Sequence, residues 1–269
     1  SVDASAPTPA PTPAPIYWKK GTWTSAYWDC CKPTCAANGM GDTDYTIAAC
    51  HAESGKRADS SSGESVCDGG SIGMCADMQP FTVNSNLSYG FGMLAASGER
   101  GLDGDGNCGQ CFELLFTGER HSEDNVEPWG GAHPELQGKR LVIQVVSVSF
   151  ETMAEHSFDL LIPGAGQGAY ESGCTLQYPD FATDDFDCGR RLGGCTHNSS
   201  CASLPEDMRA GCSWRFEWYR WLAGGGRTNA PYVKFRRVQC PQRITKISGA
   251  SPNDDYDYPV VEEHASDTL

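Results

Sequence analysis

Apolar residues fall in short runs along this chain, broken repeatedly by Gly, Asn, Asp and Pro. Runs of that length between such breaks predict strands joined by long loops rather than long helices. The clearest strands are Phe112–Phe116 (FELLF), Arg140–Val148 (RLVIQVVSV), Ser213–Tyr219 (SWRFEWY) and Val233–Val238 (VKFRRV). In Ser213–Tyr219, Trp214, Phe216 and Trp218 alternate with Arg215 and Glu217, the period of a half-buried strand. Packing, rather than an exposed sugar-stacking platform, is the role expected for those three aromatics. Short helices are predicted around Leu87–Ala96 and Pro205–Gly211.

The same texture runs from Tyr17 to Val261, so residues 17–261 read as one β-dominated domain without internal repeats. Two stretches look inserted: Glu119–Pro134, polar with four acidic residues, and Asp184–Cys201, with three cysteines. Residues 1–16 are rich in Pro, Thr and Ala, cannot build a core, and favour an extended spacer open to O-glycosylation. Such a spacer reads either as a linker to an upstream module, such as a carbohydrate-binding domain, or as a disordered tail. Residues 262–269 form an acidic tail expected to fray.

Composition narrows the function. The net charge of −15 repels nucleic acid and anionic membranes but is compatible with neutral polymers. Fourteen cysteines in 269 residues indicate an oxidising compartment and a disulfide framework. Two Asn-x-Ser sequons, at Asn86 and Asn198, agree with secretion. No run of apolar residues is long enough to span a membrane, and neither an initiator Met nor a signal peptide is present. A mature or trimmed secreted, extracellular monomer is therefore expected.

Metal and cofactor chemistry find little support. Cys108-Gly-Gln-Cys111 lacks a second half-site for zinc. Asp103-Gly-Asp105-Gly-Asn107 begins like a calcium loop, but Cys108 stands where Gly is needed and no closing Glu follows. There is no GxSxG or HExxH motif, and oxidised cysteines cannot serve as nucleophiles. No metal or cofactor is expected, which leaves paired carboxylates as the best chemistry.

Two carboxylates stand out. Asp29 lies in Tyr27-Trp-Asp-Cys-Cys31, beside adjacent cysteines that cannot comfortably bridge each other and so reach two distant parts of the chain. Such anchoring would hold a catalytic carboxylate rigidly, or simply fix a strand-end Asp in a disulfide knot. Asp159 sits inside the apolar run Phe158-Asp-Leu-Leu-Ile162, where desolvation raises a carboxyl pKa as a general acid requires. Backbone amides at a strand end could equally satisfy it.

The segment Tyr27–Cys35 (YWDCCKPTC) resembles the signature of glycoside hydrolase family 45, the small secreted endoglucanases. Ser88–Phe91, Cys108–Leu114, Gly138–Gln144, Phe158–Gly164, Gly211–Trp218 and Arg237–Pro241 resemble further family segments in the family's order. The resemblance covers essentially all of 17–261 and implies a six-stranded double-psi β-barrel with long disulfide-stapled loops and a few short helices. It implies Asp29 as catalytic base, Asp159 as catalytic acid, and Ser25, Tyr27 and Lys32 as contacts for a cellulose or related β-1,4-glucan chain. It also implies the disulfides Cys30–Cys174, Cys31–Cys67, Cys35–Cys108, Cys50–Cys75, Cys111–Cys240 and Cys201–Cys212. Cys188 and Cys195 are then left for a local seventh bridge.

The chain departs from the family pattern near the site. Ser157 stands where the family commonly has His, with His156 one place earlier. The family's third loop carboxylate has two possible substitutes, Glu151 and Glu155. Ala36-Ala37 replace a common Trp, which implies a weaker distal sugar subsite, and Ala26 replaces a basic residue. The rival class is an expansin-like, non-hydrolytic wall-loosening protein or a glucan-binding protein. Expansins share the barrel and the acid but lack the base, so Asp29 favours hydrolysis.

Overall fold

The computed structural model describes residues 17–59, 63–95, 102–117, 135–149, 158–170, 172–178, 188, 193–220 and 231–263. Among the described residues, ten strands are present: β1 (Lys19–Tyr27), β2 (Ala49–His51), β3 (Arg57–Ala58), β4 (Ile72–Gly73), β5 (Phe81–Thr82), β6 (Leu87–Ala95), β7 (Cys111–Phe116), β8 (Arg140–Ser149), β9 (Phe158–Leu161) and β10 (Tyr232–Val238). The α-helices are short: α1 (Gly173–Gln177), α2 (Arg209–Glu217) and α3 (Gln242–Ser248). None is long and apolar enough to cross a membrane.

The main sheet runs β5-β6-β8-β7-β10-β1-β9 and curls until β9 also pairs with β6. Six strands thereby form a ring, with β5 appended outside it and β7 opposite β9. Strands β2, β3 and β4 form a separate small sheet beside it. A ring this narrow is filled by its own side chains. Phe158 from β9 reaches Phe112 on the opposite strand (ring centroids 5.6 Å apart) and Phe235 on β10 (5.2 Å). Because successive side chains alternate across a strand, an inward Phe158 turns Asp159 outward.

Two predicted elements differ from those observed. Leu87–Ala95 is a strand, not a helix. It is flanked by β8 on one side and β9 on the other and is buried along nearly its whole length, so its apolar run shows no strand-like alternation. Its glycines oppose a helix, and Gly92 lets β9 come close: a Cβ there would lie 3.0 Å from the Asp159 carbonyl oxygen. Ser213–Tyr219 belongs largely to helix α2 rather than to a strand. Trp214 and Trp218, four residues apart, stack with centroids 5.3 Å apart on one helical face. Arg215, outward-facing in the strand reading, is fully buried and donates to the carbonyls of Gly164 (3.1 Å), Cys195 (3.2 Å) and Gly193 (2.7 Å). The three aromatics do pack, but as helix residues.

Seven disulfides staple the loops: Cys30–Cys174, Cys31–Cys67, Cys35–Cys108, Cys50–Cys75, Cys111–Cys240, Cys188–Cys195 and Cys201–Cys212. In the 103–107 segment, Asn107 Oδ1 accepts the amides of Asp103 (2.8 Å) and Gly104 (3.0 Å). That side chain caps a tight turn.

Candidate active site

Parallel pairing of β1 with β9 sets Ser25 opposite Asp159 and Tyr27 opposite Leu161. Ser25, Tyr27 and Asp159 therefore share the outer face of the ring, and the Ser25 side chain hydrogen-bonds Asp159. Two residues past the end of β1 the chain delivers Asp29. The turn needs a left-handed residue, and Cys30 adopts φ 62°, a strained conformation for a side chain with a Cβ. Cross-links on either side offset that strain. Cys30 is bonded to Cys174 of α1 and Cys31 to Cys67, while the Cys30 carbonyl accepts the Met74 amide (3.1 Å).

Close packing completes the grip on the segment that carries Asp29. The Trp28 amide donates to the Gly166 carbonyl (2.7 Å) and the Ile162 amide to the Tyr27 carbonyl (3.0 Å). The loop after β9 therefore touches both residues preceding Asp29. Gly173 lies so near that a Cβ on it would sit 2.3 Å from the Asp29 carbonyl oxygen.

Electrostatics separate the two carboxyls. Burial raises Asp29 to about 6, opposed by the Cys31 amide, which donates to Asp29 Oδ1 (3.0 Å). Burial raises Asp159 further, to about 7; the Ser25 hydrogen bond opposes the rise and the Asp29 charge adds to it. Asp159 Oδ1 is buried without a hydrogen-bond partner. Burial, followed by the charges of Asp29 and Asp159, pushes the Tyr27 phenol well above its ordinary value, while a Ser147 hydrogen bond acts the other way. Near neutrality, Asp29 gives up its proton before Asp159 does, so one group can accept a proton while its neighbour donates one.

Ser25, Tyr27, Asp29 and Asp159 are thus brought together. Lys32 is placed differently: its ammonium donates to the Gly63 carbonyl (3.1 Å), and it is not among the groups acting on either carboxyl. Ala36 is fully buried and Ala37 exposed. Glu151, Glu155, His156 and Ser157 lie outside the described residues. The sequence reading missed Ser147, Thr34 and Gly173. Ser147 carried the signal that exposed Asp159, a polar residue inside an apolar strand; Gly173 carried none.

Comparison of the chain with known proteins points to one family. The model of glycosyl hydrolase family 45 matches residues 21–251. An endoglucanase of Cryptopygus antarcticus is 33% identical over 225 residues, covering 84% of this chain and 86% of that protein. An endoglucanase of Phaedon cochleariae is 32% identical over 230 residues, covering 85% and 83%. The crystal structure of the cellulase from the Antarctic springtail Cryptopygus antarcticus superposes with a TM-score of 0.68 at 33% identity, covering 86% of this chain and 96% of that one. With the family model spanning most of its length, this chain belongs to glycosyl hydrolase family 45.

Proposed function

We propose that the protein is a secreted endo-β-1,4-glucanase that cuts internal links of cellulose or a related β-glucan with inversion at the anomeric carbon. The observation that carries this reading is the pair of buried carboxyls, Asp159 on β9 and Asp29 just past the end of neighbouring β1, raised by burial to about 7 and about 6. Ionised Asp29 takes a proton from water as its oxygen attacks the anomeric carbon. Asp159 gives its proton to the departing glycosidic oxygen as the carbon–oxygen bond breaks. Inverting enzymes hold the two carboxyls about 6.5–9.5 Å apart, leaving room for the water. The family and its endoglucanase-named relatives support a cellulose-type substrate, and the seven disulfides support an extracellular setting. The ring of six strands supports a double-psi interlacing of the barrel.

Proton NMR of the first products from a soluble cello-oligosaccharide tests the stereochemistry. The new reducing end should appear as the α-anomer; a β-anomer at early times would assign the chemistry to a different pair. Asp29→Asn should abolish hydrolysis while glucan binding survives, and full activity in that variant removes Asp29 as base.

A further inference from the structure

Strand β8 carries a buried serine, Ser147, to which the two-carboxylate chemistry gives no task. Ser147 is 6% exposed and pairs in register with Met93 of β6. Met93 in turn pairs with Asp159 of β9, which pairs with Ser25 of β1. Ser147, Met93, Asp159 and Ser25 thus form one row across four strands, and Tyr27 lies on that face two residues past Ser25.

The hydrogen bonds around Ser147 are directional. Its Oγ accepts the Thr34 amide (3.1 Å), and Thr34 Oγ1 accepts the Val148 amide (2.8 Å). This reciprocal grip joins β8 to the segment that carries Asp29, and the Cys35–Cys108 bridge secures the neighbouring residue. The other partner of Ser147 is the Tyr27 side chain. Tyr27 feels the charges of both Asp29 and Asp159, which draw the phenol proton toward them. The Ser147 contact lowers the phenol's pKa, the effect of a donated proton, so Ser147, its oxygen accepting from Thr34, gives its own proton to Tyr27 Oη. The phenol is then left to donate into the space the two carboxyls share.

We propose that Ser147, held by Thr34, is a positioning residue that fixes Tyr27 as a hydrogen-bond donor to an oxygen of the sugar beside the cleaved bond. The inference rests on the two-carboxylate reading above. A preset donor acts most strongly where charge shifts in the transition state, so its loss belongs in kcat rather than in KM.

A double-mutant cycle on a soluble cellulose derivative tests it, with each variant's folded fraction checked by thermal melting. Ser147→Ala should lower kcat roughly tenfold, the weight of one hydrogen bond, and leave KM within about twofold. Ser147→Thr, which keeps the hydroxyl, should restore most of kcat. In a Tyr27→Phe background, Ser147→Ala should change kcat by less than about twofold, because the group it orients is gone. An unchanged kcat in Ser147→Ala, a loss confined to KM, or an equal loss in both backgrounds overturns the proposal. Should Ser147→Ala not fold, Ser147→Cys, nearly isosteric and a weaker donor, carries the same cycle. Full activity in Asp159→Asn would overturn the two-carboxylate reading by itself, since the cycle keeps both carboxyls intact.

Discussion

Strands β7 and β9 stand opposite each other in the barrel and carry nearly the same four residues, Phe112-Glu-Leu-Leu115 and Phe158-Asp-Leu-Leu161. Each turns its phenylalanine inward and its carboxylate outward, and each carboxylate is buried: Glu113 at 0% exposure and Asp159 at 7%. Their surroundings differ completely. Glu113 is clasped by Arg140 of β8 (2.6 Å) and Arg236 of β10 (2.6 Å), and Arg236 lies over the Trp18 ring. Asp159 has a serine hydroxyl beside it, an oxygen with no partner, and another carboxylate nearby. One flank pairs its buried charge with two guanidinium groups; on the proposed reading, the other keeps its own available for proton transfer.

That contrast is easiest to break with a matched pair of substitutions. Asp159→Asn should reduce kcat roughly a thousandfold, the scale of a lost general acid, whereas Glu113→Gln should leave kcat per folded molecule close to wild type. A similar loss in both would mean that Glu113 also serves the site. Stability should move in opposite directions. Glu113→Gln leaves two guanidinium groups without their shared partner and should cost about 3–5 kcal/mol in urea unfolding at neutral pH. Asp159→Asn should stabilise the fold above pH 7. The native carboxyl titrates near 7 against 3.8 unfolded, so the folded state binds more protons across that window. The contribution of Asp159 to stability is complete below about pH 4 and is lost as pH rises through 7, on the order of 4 kcal/mol. The Asn variant escapes that loss, and its advantage should disappear at acid pH.

The activity profile sharpens the comparison further. The rate should rise through about 6 as Asp29 ionises and fall through about 7 as Asp159 does, a narrow bell belonging to the coupled pair. An alkaline limb far above neutrality would mean that Asp159 does not act as the acid. The smallest effect belongs to Ser25→Ala. The Ser25 bond favours the charged form of Asp159, so its removal should shift the alkaline limb upward.

The two flanks also show what a sequence can disclose. The strands Phe112–Phe116, Arg140–Val148 and Val233–Val238 were legible because their runs are short, apolar and bounded by breakers. Asp159 was legible because a charge in such a run must be either paired or functional. Glu113 shows the same local pattern, yet what decides between those fates lies 27 and 123 residues away, in Arg140 and Arg236. Cross-strand neighbours are invisible until the register is known. Trp214–Trp218 failed for a related reason: alternation over five residues suits a strand, but a helix that buries Arg215 can carry the same letters.

Timing follows from the cross-link beside Asp29. Cys30 and Cys174 are separated by 144 residues, so all of that intervening chain must leave the ribosome before the turn at Asp29 can be locked. The lock also needs an oxidant, because Cys30–Cys174 and the adjacent Cys31–Cys67 each form by two-electron oxidation of a thiol pair. A freshly made chain in reducing surroundings carries every catalytic atom but lacks the clasps that set Asp29 in place. Oxidation supplies the last step of assembly, so the turn at Asp29 is set only where disulfides can form.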